Sequence, residues 1–482
     1  MTHGSGKPPS AAPTRHFWLA PSDSLREECG VFGIYNHREA ARMTYLGLQQ
    51  LQHRGQESSG IVTTDGRRFY AHVAMGLVSD VFKPEVVDRL AGRSAVGHVR
   101  YATAGHSNLV NAQPIVVTTQ RGWVAIGHNG NLTNAHLLRR ELERQGSIFQ
   151  TSSDTEVILH LAAKSPAGTF SAALADALRQ VTGAYSLTIL TSKALYAVRD
   201  PYGVRPLHLG RINGSWVVAS ETCAFDIIGA RLVREIQPGE ILEISKDGPK
   251  VIAKLPSQTP ARCVFEFVYF SRPDSQIFGG SVYETRREMG RQLAREASAK
   301  ADIVVGVPDS ANCAAVGYAE QSGIPFEMAL IRSHYKGRTF IEPKQSIRDF
   351  GARMKYAAVG EAIRGKRMVL IDDSIVRGTT SLKLVRMLRL VGAREIHLRI
   401  SSPPIIGPCF YGIDTPERKE LIASRFSVDQ IRRFLGVDSL KYLSLSGMLK
   451  ATGQDPKSFC TACFSDDYRI PVPDGGTVRE KR

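Results

Sequence analysis

The chain has 482 residues, 43% hydrophobic and 22% charged, with a formal net charge of +16. That length and apolar content allow large cores and two or three domains, while no apolar run approaches the ~20 residues a membrane span needs. The positive balance suits either a polyanionic small substrate or nucleic acid, and with Lys and Arg spread along the chain without a concentrated basic tract the charge alone decides nothing.

Residues 1–28 are rich in Gly, Pro, Ser and Ala, end in Glu27-Glu28, and read as a disordered leader lacking the apolar core of a secretory signal. A cytoplasmic location follows. Seven cysteines in a chain of this length, without an export signal, point to catalytic or metal-binding use and away from a disulfide framework.

The character changes at Cys29, which opens a short apolar strand followed by a helical pattern over 40–51 and the run His53-Arg54-Gly55-Gln56-Glu57. Further on come His98-Val99-Arg100-Tyr101-Ala102-Thr103, then His128-Asn129-Gly130-Asn131-Leu132, then Thr151-Ser152-Ser153-Asp154-Thr155-Glu156. Each has a plain structural reading: a small buried thiol, an Asn-Gly turn, a helix N-cap at Asp154. Helical patterns over 134–145, 154–163 and 170–181 precede short strands at 185–190, 194–198, 216–219 and 240–244, punctuated by Asp200-Pro-Tyr-Gly, Asn213-Gly and Pro238-Gly. Two antiparallel sheets covered by helices satisfy this order. Cys223 is most simply a core thiol.

Residues 254–262, with Pro256 and Pro260, read as a linker. Beyond it strands and helices alternate: strand 303–307, helix 310–321, strand 326–331, strand 368–372, helix 379–391 and strand 395–400. Such alternation predicts a mostly parallel sheet covered on both faces. Ser310 ends one strand-to-helix turn, where it either caps the helix or faces a metal-bound group. Between the strands lies a cationic stretch, 332–343, holding Tyr335, Lys336, Gly337, Arg338 and Thr339, with Arg348, Arg353 and Lys355 behind it. A loop of that length inside a domain is either functional or a solvated basic segment.

Residues 368–380 run apolar strand, Asp372-Asp373, Ser374, Arg377-Gly378, then Thr379-Thr380 opening a helix. Amides of the turn and of the helix start suit a phosphate, and the carboxylates suit ribose hydroxyls or magnesium. Near the C-terminus Cys460-Thr-Ala-Cys463 is ambiguous between redox, zinc and iron–sulfur use. Cys313, inside the predicted 310–321 helix, is left to the core.

The 368–380 stretch resembles the phosphoribosyl pyrophosphate (PRPP) loop of the type I phosphoribosyltransferases, and the ordered motifs from Cys29 to Glu156 resemble the N-terminal-nucleophile (class II) glutamine amidotransferases. Both sets in one chain resemble the amidophosphoribosyltransferases over residues 29 to about 464. The resemblance implies a four-layer αββα glutaminase domain at 29–258 and a type I phosphoribosyltransferase domain with a mostly parallel sheet at 259–482. It also implies removal of the 1–28 propeptide, so that Cys29 becomes the terminal nucleophile with its own α-amine as base. Asn129 and the Gly130 amide would form the oxyanion hole, Arg100 would clamp the glutamine α-carboxylate and Asp154 would accept the α-ammonium. Asp372, Asp373, Ser374, Arg377, Gly378, Thr379, Thr380 and Arg338 would bind PRPP, with Ser310, Asp372 and Asp373 on one magnesium ion per subunit. The basic loop would close over PRPP.

Cys263, Cys409, Cys460 and Cys463 match the iron–sulfur branch, which implies one [4Fe–4S] cluster per subunit. The activity implied is transfer of the glutamine amide nitrogen, as ammonia passed inside the protein, to C1 of PRPP. The products are 5-phosphoribosylamine, glutamate and pyrophosphate, in the first committed step of purine synthesis. A homotetramer inhibited by AMP and GMP goes with the resemblance. An amidotransferase making glucosamine phosphate or asparagine would have no use for the acidic loop at 372–380. A PRPP-sensing regulator on the same fold would need neither Cys29 nor Arg100.

Overall fold

The computed structural model describes residues 29–101, 108–332 and 356–473. The leader 1–28, Ala102, Thr103, and the expected loop residues Tyr335 to Thr339 with Arg338, Arg348, Arg353 and Lys355 lie outside the described residues. The chain divides into two compact units. One contains Arg286–Gly407 and Pro416–Ala451; the other holds the described residues up to Thr285 together with 408–415 and the segment from Thr452 onward.

The larger unit carries two antiparallel sheets. Strands β1 (Gly30–Tyr35), β2 (Ser58–Thr64), β3 (Phe69–Met75), β4 (Ser94–Arg100), β9 (His208–Ile212), β10 (Ser215–Ala219) and β11 (Arg231–Glu235) form the first, in the order β11-β9-β10-β1-β4-β2-β3. Strands β5 (Ile115–Thr119), β6 (Gly122–Leu132), β7 (Gly183–Thr191), β8 (Leu195–Arg199), β12 (Glu240–Ser245) and β13 (Gly248–Lys254) form the second, in the order β13-β12-β8-β7-β6-β5.

Alternation along each strand splits its side chains between two layers. On β1, Val31 joins the core between the sheets with Val62, Val96, Ala125 and Leu190, while Phe32 and Ile34 face helix α1 (Ala40–Gln50) and the short helices α2 (Val78–Val81) and α3 (Pro84–Arg89). Helix α1 returns Ala40, Ala41, Thr44, Gly47 and Leu48, a spacing that keeps one face buried. Behind the second sheet α4 (Ala135–Arg144), α5 (Thr155–Lys164) and α6 (Phe170–Leu178) pack Leu142, Ile158, Leu161, Leu174 and Leu178 on Ile126, Leu187 and Val198. The result is the expected helix–sheet–sheet–helix order. Asn213 and Gly214, both at positive φ, make the tight turn between β9 and β10.

The second unit is built on a four-stranded parallel sheet in which Ile303–Gly306, Arg367–Asp372, Glu395–Ile400 and Ser439–Tyr442 lie side by side. Helices Asn312–Ser322 and Thr379–Val391 follow the first two of these strands. The expected strand at 326–331 is different in form. Phe326 makes one parallel bridge to Val304, and Leu330–Arg332 pairs antiparallel with Tyr356–Ala358 outside the main sheet. The fourth parallel strand, Ser-Leu-Lys-Tyr, is too short and mixed to announce itself in sequence.

Candidate functional sites

Cys29 ends up directly ahead of β1, 6% exposed, with its Sγ 3.7 Å from the carbonyl of Tyr101. Its own carbonyl oxygen accepts a hydrogen bond from Arg54 Nε at 3.2 Å. Pairing of β1 with β4, Gly30 against Val99, brings Arg100 to the same edge. Arg100 is buried, and its guanidinium lies 3.7 Å from the Glu57 carboxylate.

Asn129 and Gly130 stand on β6 in the second sheet, opposite Ser186 and Tyr185. The Asn129 amide is fully buried, and neither its oxygen nor its nitrogen has a hydrogen-bond partner among the described residues. A buried amide without partners costs free energy, roughly 1–3 kcal/mol, unless something else uses it. Gly130 has φ +145°, and a Cβ there would lie 2.0 Å from the Ala184 carbonyl, so only glycine fits and its peptide keeps its orientation.

Asp154 sits at the N-cap position of α5, yet its side chain makes no cap bond to that helix. Its Oδ2 instead accepts the Leu132 amide at 2.8 Å, next door to Asn131, and its Oδ1 lies 3.7 Å from His128 Nδ1. Burial works to raise this carboxyl, and His128 with the Leu132 and Thr155 amides outweighs it, so it stays below its ordinary range. The loop ahead of α5 is tied by Glu156, whose carboxylate takes the amides of Gln150 and Thr151.

In the parallel-sheet unit, Asp372 closes its strand and Ser310 follows the neighbouring one, both at carboxyl ends, where ligands of open α/β sheets bind. Ser310 Oγ donates to Asp373 Oδ2, and Ser374 Oγ donates to Asp373 Oδ1 at 2.6 Å. The helix after Ser310 begins only at Asn312, with Ala311 at its cap, so the Ser310 hydroxyl serves the acidic pair and not the helix. Ser402 Oγ holds the Asp373 carbonyl at 2.7 Å. Gly378, at φ +80°, stands at the N-cap of the Thr379–Val391 helix and puts no side chain over its first turn. Arg377 is held by Glu420 at 3.1 Å. Burial first, then the charges of Asp372 and Asp373, push the Tyr356 phenol up, which puts it beside the pair.

Cys263 pairs with Cys460 across two parallel strands, Arg262–Cys263 and Phe459–Cys460. Cys409 Sγ accepts the Tyr411 amide at 3.3 Å. All four candidate cysteines lie in the larger unit, outside any disulfide. Burial, then Cys263, Cys460 and Cys409, drive the Cys463 thiol well above its ordinary range, and Cys460 is pushed up to about 12, chiefly by burial. The strands and helix that carry the thiols are walled by Phe265, Phe267, Phe459 and Phe464, with Phe265 stacked on Phe464 at 5.7 Å. Among the described residues no group of three or more His, Cys, Asp or Glu side chains is spaced as a metal site. Four cysteines in one apolar neighbourhood, with burial holding the Cys460 and Cys463 protons on, are nevertheless a donor set whose chemistry suits a cluster, because ligation replaces thiol protons by metal. Cys223 and Cys313 are buried core thiols.

Sequence reasoning missed Arg54, Glu57, Glu221, Glu266 and Ser402. Arg54 and Glu57 lay inside a run singled out for other reasons. Glu266 had a signal of its own, a lone carboxylate within Val264-Phe265-Glu266-Phe267-Val268.

Residues 98–226 match the family described as a glutamine amidotransferase domain, and residues 281–401 match that of a phosphoribosyl transferase domain. The chain is 54% identical over 447 residues to Amidophosphoribosyltransferase 1, chloroplastic, of Arabidopsis thaliana, covering 92% of this chain and 79% of that protein. It is 50% identical over 459 residues to the amidophosphoribosyltransferase of Bacillus subtilis (strain 168), covering 94% and 96%. A solved structure of the allosteric regulatory enzyme of purine biosynthesis superposes with a TM-score of 0.89 at 49% identity, over 93% of this chain and 97% of that one. The B. subtilis glutamine PRPP amidotransferase complexed with ADP and GMP gives 0.88 at 48% identity, over 93% and 98%. The regulator reading draws no support from these relatives.

Proposed function

The chain belongs to the amidophosphoribosyltransferase family, and from that premise we propose that Cys29 releases ammonia from glutamine while the 372–380 loop holds the PRPP that receives it. The family's reaction moves the glutamine amide nitrogen to C1 of PRPP, giving 5-phosphoribosylamine, glutamate and pyrophosphate, and it opens purine synthesis. The functional division we propose is a leader at 1–28, a glutaminase domain at 29–258 and a phosphoribosyltransferase domain at 259–482.

With residues 1–28 removed, the α-amine of Cys29 takes the thiol proton as the sulfur attacks the glutamine amide carbon. Negative charge develops on the amide oxygen, where the Asn129 side-chain amide and the Gly130 N–H receive it. Arg100 binds the α-carboxylate of glutamine, and Asp154, held ionised, binds its α-ammonium. The amine of Cys29 then returns its proton to the departing ammonia, and water hydrolyses the thioester.

In the other unit the amides at the start of the Thr379–Val391 helix with the Gly378 turn take the 5-phosphate, and Arg377 and Ser374 reach its oxygens. Asp372 and Asp373 face the ribose hydroxyls. Arg338 supplies positive charge for the pyrophosphate. Magnesium, when held by Ser310, Asp372 and Asp373, supplies positive charge against the leaving pyrophosphate. A [4Fe–4S] cluster held by Cys263, Cys409, Cys460 and Cys463 would tie the C-terminal segment to the strand at Arg262–Cys263.

The observation that carries the glutaminase half is Asn129, fully buried with both amide atoms unused. A homotetramer, inhibition by AMP and GMP, and a cytoplasmic location complete the reading. The relative solved with ADP and GMP supports nucleotide binding, and among the described residues no helix is long and apolar enough to cross a membrane. The test is glutamine-dependent pyrophosphate release from PRPP by anaerobically purified protein whose intact mass lacks residues 1–28. Cys29→Ser is expected to abolish the glutamine-driven rate and keep the ammonia-driven one; loss of both, or of neither, would refute the assignment.

A further inference from the structure

A cluster of four fully buried charges lies behind Cys29 in the larger unit. Arg54 is 1% exposed, Arg205, Glu221 and Glu266 are 0%. Arg54 grips Glu266 with two parallel bonds, Nη1 to Oε2 at 3.0 Å and Nη2 to Oε1 at 2.6 Å, and its Nη1 also reaches Glu221 at 2.5 Å. The remaining nitrogen, Nε, is the one that donates to the Cys29 carbonyl. Glu266 is itself held from the far side, by Ser271 Oγ at 2.6 Å and Arg205 Nη1 at 3.4 Å. It opens a five-residue π-helical turn, Glu266–Phe270, an irregularity that re-aims side chains and recurs at functional sites.

Buried ion clusters of this kind seldom raise stability over an apolar packing of equal volume, so their retention calls for another use. Here the geometry gives one. Once Cys29's carbonyl is fixed, its amine and thiol keep only rotations about the bonds of its own Cα, and the bidentate grip fixes the plane of the guanidinium that holds the carbonyl.

We propose that Glu266 is a positioning residue for glutamine hydrolysis: through Arg54 it fixes the Cys29 carbonyl, and its charge balances the Arg54 cation next to the amine that serves as base. This rests on the reading of Cys29 as the terminal nucleophile. The titratable and charged groups in this cluster are Arg54, Arg205, Glu221 and Glu266, with His53, whose Nε2 lies 2.7 Å from Glu221, and on the β4 side Arg100 with Glu57. Removing the Glu266 charge leaves Arg54 less balanced, which favours the neutral amine. The acid limb of the pH–rate profile then moves to lower pH.

The experiment compares full-length processed enzyme carrying wild-type sequence, Glu266→Gln and Glu266→Asp, with Cys29→Ala alongside. In Glu266→Gln the glutamine-dependent kcat is expected to fall on the order of 10- to 100-fold, with KM for glutamine near wild type and the acid limb displaced downward. Glu266→Asp keeps the charge and shortens the reach, so its kcat falls while its acid limb stays in place; it also guards against a Gln variant that fails to fold. Wild-type kcat in Glu266→Asp overturns the proposal. So does a Glu266→Gln in which the ammonia-driven rate and thermal midpoint drop in step with kcat and the acid limb does not move, for that is a fold support. Glutamine hydrolysis surviving in Cys29→Ala would remove the underlying reading, whatever Glu266 does.

Discussion

Cys263 and Cys460 face each other as partners on two parallel strands, although they come from opposite ends of the second half of the chain. With burial pushing the Cys460 thiol to about 12, its proton stays on unless a metal displaces it. Anaerobic protein is therefore expected to carry about four iron and about four acid-labile sulfide per chain, and Cys460→Ser to lose both together with several degrees of thermal midpoint. Zinc in place of iron, or a full complement of iron in the variant, would sink the cluster assignment.

Asn129 separates activity from stability. Its side-chain amide makes no hydrogen bond among the described residues, so Asn129→Ala takes away no resting hydrogen bond, yet it takes away the proposed oxyanion donor. Glutamine-dependent turnover should drop about 100- to 1000-fold, while the thermal midpoint holds or rises. Steady-state kinetics beside a melting curve decides it. A parallel loss of both would mean that Asn129 is structural.

What sequence made legible was local. The loop proposed to hold the 5-phosphate lies in one unbroken stretch, so strand, acidic pair, Gly378 and helix could be read together, and the strand and helix are where they were expected. The Arg54–Glu266 pair could not be read, because it joins residues more than two hundred positions apart and neither end specifies the other. The run Phe-Glu-Met-Ala-Leu-Ile at 326–331 carries strand-forming residues, and yet only its ends pair, since neighbouring strands and not propensity decide who bonds whom. The cysteine set was visible only through family resemblance; a parallel pairing of two-residue strands has no local signature.

Asp200 yields a pH prediction. Burial raises its carboxyl to about 6, against the opposing pull of Arg199 and of the Tyr185, Tyr202 and Val204 amides. An acid whose folded pKa lies above its unfolded value of about 4 stabilises the fold below pH 4, and that contribution is lost as pH rises to about 6. The amount is about 3 kcal/mol. Glu221 and Glu266, whose carboxyls are depressed because Arg54 and its neighbours outweigh burial, slope the other way. The readout is thus the difference between wild type and Asp200→Asn in denaturant titrations from pH 4 to 7. That difference should shift in favour of the variant as pH rises; a constant difference would contradict it.

Gly378 tests the phosphate loop by backbone alone. At φ +80° it sits where an L side chain is strained by roughly 1–2 kcal/mol, and an added Cβ would come 3.1 Å from Ile422 Cδ1. Gly378→Ala must either relax the turn or push Ile422 aside, and relaxing the turn swings the Thr379 and Thr380 amides away from the direction a phosphate needs. The expected result is a KM for PRPP raised about tenfold, with glutamine hydrolysis unchanged when assayed alone. If PRPP binds Gly378→Ala as tightly as wild type, then the amides at the start of this helix are not what holds the 5-phosphate, and the basic residues around Arg377 must carry it instead.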